Sequence, residues 1–102
     1  MSFRVVFLQE AEQDLDCILE YLSGYYESTV QNFFAKLEKQ VSMLEDTPYI
    51  CPKYDDDPFF RRMVIDNYLL FYSVDEHREL VIIHRIFHHS RNISMQILRS
   101  FR

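Results

Sequence analysis

Residues Leu80 to Asn92 read LVIIHRIFHHSRN. The first half is a run of branched apolar residues. A run of that length between turn signals predicts a strand buried in a sheet. Along and just beyond it sit His84, Arg85, His88, His89 and Arg91. Side chains of this kind on a well-buried strand are either solvated at its edge and exit or presented to a partner. Period-two alternation divides the strand. Val81, Ile83, Arg85 and Phe87 fall on one face, and Leu80, Ile82, His84 and Ile86 on the other. The second set is the more continuous apolar surface, so it is expected to pack on the helices, with Arg85 toward the opposite side. His84 then faces the core and needs a hydrogen-bond partner.

Upstream of this strand the same alphabet repeats. Tyr68 to Val74, YLLFYSV, and Phe59 to Ile65, FFRRMVI, read as two further strands. Asp66-Asn67 between them is a two-residue turn of the kind that tolerates positive φ. Asp75 to Glu79 is a polar turn. Residues 59–87 are therefore expected to form a three-stranded antiparallel meander. Asp46 to Pro58 holds all three prolines and the triplet Asp55-Asp56-Asp57, and reads as a connecting loop. The triplet lacks the supporting Gly and bidentate Glu of a calcium loop, so it reads as solvated.

Before the loop the period changes. Val30, Phe33, Phe34, Leu37, Val41 and Leu44 repeat at helical spacing, predicting a helix to about Glu45 capped by Ser28 or Thr29. Ala11, Leu15, Ile18, Leu19 and Leu22 mark an earlier helix over 9–22. Gly24, the only glycine, is the natural C-cap between them. The short link implies an antiparallel helical hairpin. Phe3 to Leu8 is a short N-terminal strand, and Ser90 to Arg102 can form a short C-terminal helix. The order is β-α-α-β-β-β with that last helix. This is an α+β class with the helices on one face of the sheet, and residues 1–102 make a single domain. The other face is expected to be partly open.

The charge is uneven. From Gln9 to Asp57 there are 12 acidic and three basic residues, whereas Pro58 to Arg102 has four acidic and seven basic, and no acid follows Glu79. The acid-poor half is the one suited to meet an anion. Nine Phe and seven Tyr are many for 102 residues, so some are expected on a partner surface. Cys17 and Cys51 have no zinc spacing, and with no signal peptide at the N-terminus they read as reduced thiols in a cytoplasm. No run is long enough to span a membrane.

Chemistry is then sought in the cationic and tyrosine residues. Tyr68 and Tyr72 alternate on one strand face, either to stack on bases and move protons or to fill the core edge. Arg61 and Arg62 are adjacent and point to opposite faces, so one is expected beside Arg85 across the sheet. Such a guanidinium pair suits phosphate or carboxylate. His88 and His89 are acid–base candidates. Neither a metal site nor a cofactor motif is present: there is no Gly-rich phosphate loop and no HExxH.

The blocks VVFLQEAEQDLDCILEYL at 5–22, RRMVIDNYLLFYSVDE at 61–76 and LVIIHRIFHHSRN at 80–92 resemble the RelE/ParE superfamily of type II toxin–antitoxin toxins, including plasmid stabilisation proteins. The middle block with Arg62, Tyr68 and Tyr72, and Arg85-Ile86-Phe87-His88 with Arg91, carry most of the likeness. The resemblance implies the β-α-α-β-β-β fold and a growth-inhibiting toxin neutralised by a cognate antitoxin, in assemblies that reach a toxin–antitoxin heterotetramer. It implies one of two targets. A ParE-like member binds DNA gyrase and does no covalent chemistry, with Arg62, Tyr68, Tyr72, Arg85, His88 and Arg91 and the segment 93–102 toward partners. A RelE-like member is a metal-independent endoribonuclease that cuts messenger RNA at the ribosome. There Arg85 would stabilise the phosphorane, His88 or His89 would move protons, and Arg61 or Arg62 would hold the phosphate. An inactive, purely binding member is the third reading. The acidic chain, Leu69 where nuclease members carry Arg, and the lack of any Tyr beyond Tyr72 favour the ParE-like expectation.

Overall fold

A computed structural model describes residues 2–89. The chain forms β1 (Arg4–Phe7), α1 (Gln9–Leu22), α2 (Glu27–Asp46), β2 (Lys53–Tyr54), β3 (Asp57–Ile65), β4 (Tyr68–Asp75) and β5 (Leu80–His88). The strands make one five-stranded sheet in the order β1-β5-β4-β3-β2. β1 runs parallel to β5, and every other pairing is antiparallel. The α+β class and the meander are as expected. The sheet is wider, because the first strand closes onto the last and the proline loop contributes the two-residue strand β2. β3 also starts two residues earlier, at Asp57.

Helix α1 begins with Glu10 and Glu12 in its first turn, where carboxylates meet the positive end of the helix dipole. Its end differs from expectation. Ser23 is the C-cap in right-handed conformation, and Gly24 takes no positive φ. The Gly24 N–H bonds the Tyr21 carbonyl in a tight turn, so glycine's special freedom is not used there. Helix α2 starts at Glu27 after Tyr26, with no side-chain cap bond from Ser28 or Thr29. The turn after β3 is as read: Asp66 has φ 53°, and its carboxylate accepts from Lys36 Nζ at 2.9 Å.

The main core lies between helices and sheet. Ala11, Ile18, Phe33, Leu37 and Leu44 meet Met63, Ile65, Tyr68, Leu70, Tyr72, Val81, Ile83 and Ile86. A second, smaller core of Phe60, Phe71 and Phe87, flanked by Tyr54 and Leu69, lies on the far side of the sheet. That side, expected to be partly open, is covered around this cluster and exposed at Arg62 and Val64.

The face assignment of β5 needs correction. Phe71 pairs with Arg85 but Tyr72 pairs with Ile83, so His84 is the extra residue of a β-bulge. Alternation restarts after it. Val81 and Ile83 join Ile86 in the helical core, while His84 turns to the far side. There it lies 5.0 Å from the Phe60 ring and shares a 2.8 Å hydrogen bond with Ser73. A buried histidine with a hydroxyl partner is the structural role expected of it, on the opposite face.

Candidate functional site

β1 ends at Phe7, opposite Ile83. Beyond that point β5 has β4 on one side and helix α1 on the other. Asp14 of α1 reaches this stretch. Its carboxylate accepts from Arg85 Nε at 2.7 Å, from Arg85 Nη2 at 2.9 Å and from the Ile86 N–H at 3.0 Å. Both charged side chains are only 14% exposed. The Arg85 guanidinium also lies 4.6 Å from the centre of the Phe87 ring. Arg85, read as presented to a partner, is instead held in a bidentate pair that takes the place of a strand at the sheet edge.

The other expected residues divide. Arg62, Phe71 and Arg85 occupy one row across three strands. The two arginines therefore share a row, about 10 Å apart at the backbone with Phe71 between them. Arg62 is exposed and lies 6.0 Å from the Tyr54 ring. Arg61 points to the other side. It donates to the carbonyls of Cys51 at 2.7 Å and Tyr49 at 3.3 Å and covers the Tyr49 ring. Tyr72 is fully buried, and its hydroxyl donates to the Pro48 carbonyl at 2.9 Å. Burial, then the neighbouring Cys51 thiol, pushes its pKa well above the usual tyrosine range. Tyr72 is a core residue that ties down the proline loop. Arg91 and residues 93–102 lie outside the described residues.

Tyr68 and His88 are brought together. They pair across β4 and β5, and their rings meet edge-on at 5.4 Å. Tyr68 also packs edge-on against Phe33, and burial raises its pKa. His88 is exposed beside His89, ring to ring at 4.9 Å, and the His89 N–H bonds the Asn67 carbonyl. Around this pair two adjoining clefts form one groove on the helical side. One, of about 720 Å³, is bordered by Tyr21, Tyr25, Tyr26, Phe33, Tyr68 and His88. The other, of about 530 Å³, runs from Tyr21, Tyr68 and His88 along α1 to Cys17 and Asp14.

Tyr21, Tyr25 and Tyr26 were not among the expected site residues. Tyr21 and Tyr25 share a hydroxyl–hydroxyl bond of 2.9 Å, with rings edge-on at 5.6 Å. That bond raises the Tyr25 pKa. Their spacing of four residues was the available signal. Asp14 also left a trace: it sits three residues after Ala11 and four before Ile18, a carboxylate on the apolar stripe.

Residues 5–93 match the model of the family described as the ParE toxin of the type II toxin–antitoxin system parDE. The chain belongs to the ParE toxin family. Solved structures agree on the fold. A chromosomal ParDE toxin–antitoxin system from P. aeruginosa superposes with a TM-score of 0.71 at 15% identity, over 85% of this chain and 96% of that one. The RelBE2 toxin–antitoxin complex from Mycobacterium tuberculosis gives 0.60 at 19%, over 86% and 99%. The intact E. coli RelBE complex gives 0.59 at 16%, over 88% and 100%. At these identities the likeness is one of fold. No curated protein sequence matches the chain. No described helix is long and apolar enough to cross a membrane.

Proposed function

We propose that this ParE family member is the toxin of a type II toxin–antitoxin pair. In this reading it arrests growth by binding DNA gyrase, does no covalent chemistry, and is neutralised by a cognate antitoxin protein. The observation that carries this is the dispersal of the groups a nuclease would have to gather. Arg85 is bound to Asp14, Arg61 is spent on two backbone carbonyls, and the Tyr72 hydroxyl is buried on Pro48. His88 packs against Tyr68 on the helical side, while Arg62 lies in the row of Phe71 on the far side. An acid–base histidine and a phosphate-holding arginine on opposite faces do not serve one scissile bond. What remains exposed on the helical side is an aromatic groove, which suits binding.

Gyrase supercoiling with the purified chain tests the reading. Loss of supercoiling, or trapped cleaved DNA, is the expected result, and added antitoxin restores activity. One observation favours a RelE-like endoribonuclease, namely the exposed His88–His89 pair beside Tyr68. Messenger RNA in translating ribosomes separates the two. It stays intact under the gyrase reading, and cleavage at the ribosomal A site would overturn it.

A further inference from the structure

The two helices and their link, residues 9–46, carry nine acidic side chains and two lysines. Glu20 directly precedes Tyr21 and Glu27 directly follows Tyr26; both are exposed, as is Asp16 one turn earlier on α1, and no ion pair among the described residues engages them. Two neighbouring cations are already committed, Lys36 to Asp66 and Arg85 to Asp14. Between the acids stand Tyr21, Tyr25 and Tyr26, exposed by 61, 59 and 77%. Large exposed rings in one patch mark an interaction surface on a small protein. Uncompensated carboxylates beside them set the charge of the partner. An apolar partner would cover Glu20 and Glu27 without compensation, and an acidic one would be repelled.

We propose that this groove docks a segment of a partner protein in which arginine alternates with apolar side chains. The apolar side chains would lie over Leu22, Phe33 and Tyr68, which border the cleft. The arginines would stack on Tyr21, Tyr25 or Tyr26 and fork onto Glu20 or Glu27. A planar guanidinium makes both contacts at once, and lysine makes them less well. The inference rests on the reading of the chain as a protein-binding toxin, but its test involves neither growth nor gyrase.

The full chain is titrated with two labelled synthetic amphipathic peptides of equal length and identical apolar pattern. One carries arginine and the other glutamate at the polar positions. The arginine peptide binds at least about tenfold more tightly, and added salt weakens it. Tyr21→Ala combined with Tyr25→Ala costs about tenfold, the scale of two lost stacking contacts, with an unchanged circular dichroism spectrum. Glu20→Gln with Glu27→Gln weakens binding several-fold, whereas Glu38→Gln with Glu45→Gln, farther along α2, leaves it unchanged. Four results would overturn the proposal. They are equal binding of the two peptides, binding of neither, a tyrosine variant that binds like the parent, and equal losses in the two glutamate variants. Sedimentation that shows two copies closing this groove on each other overturns it as well. Arginine-peptide binding without any effect on gyrase retains this inference and removes the gyrase reading. Gyrase inhibition without peptide discrimination does the reverse.

Discussion

The two halves of β5 are buried by different means. Val81 to Ile83 lies between two strands, with β1 parallel on one side and β4 antiparallel on the other. Ile86 to His88 keeps β4, but its second neighbour is a helix, and the Ile86 N–H is satisfied by the Asp14 carboxylate. A strand neighbour satisfies the backbone and leaves side chains to pack. A carboxylate satisfies one N–H and requires a counter-charge, which Arg85 supplies. The bulge at His84 is where one regime gives way to the other. The difference teaches that the cationic residues of this stretch are not one cluster. Arg85 completes the sheet edge, and His88 borders a groove.

Substitutions can break this comparison, and the expected effects descend along the strand. Ile83 is wholly buried in the main core. Ile83→Ala should cost about 3–4 kcal/mol in urea unfolding, the range for truncating a buried branched side chain. Asp14→Ala should cost about 2–3 kcal/mol, because it strands a guanidinium and an N–H that are mostly out of water, though not fully. A cost below about 0.5 kcal/mol would class the pair with ordinary surface bridges and make Arg85 available to partners after all. Tyr72→Phe, opposite Ile83, should cost about 1 kcal/mol, since it leaves the Pro48 carbonyl without its donor.

Tyr72 also predicts a pH dependence. Its folded pKa is raised, so above about pH 10 the unfolded chain gives up the phenolic proton while the folded chain keeps it. The unfolded state then binds fewer protons, and stability falls as pH rises past that point. Thermal melts of the parent should drop in this alkaline range more steeply than those of Tyr72→Phe. The smallest effect belongs to the exposed end of the strand. His88→Gln loses an edge contact with Tyr68 and should change unfolding stability by less than about 1 kcal/mol. A larger loss would move His88 from the groove into the core.

Much of this architecture was legible. Periodicity placed both helices, because each buries a single stripe on the sheet, and the Asp66-Asn67 turn was readable from its tolerance of positive φ. β2 was not, since two residues carry no period. The bulge at His84 was invisible for a related reason: alternation assumes an unbroken ladder, and one extra residue reverses every assignment on one side of it. The assignments of Leu80 to His84 were all reversed by that step alone. The site was harder to read. That Arg85 belongs to Asp14, seventy-one positions away, is a consequence of packing and not of local spacing. Tyr25 and Tyr26 stood in the link between the two helices and Tyr21 off the apolar stripe of the first, where aromatic residues have no assigned face until the helices dock.

The closure of β1 onto β5 has a further consequence, for synthesis. Arg4 pairs with Leu80 and Phe7 with Ile83, so one of the first segments to leave the ribosome waits for the last described strand before its ladder can form. Until then the chain holds an acidic helical pair and a meander without its final strand. Long-range pairing of this kind is slow to nucleate and exposes apolar surface meanwhile. A nascent copy therefore passes through an interval in which the sheet is open along the β5 position.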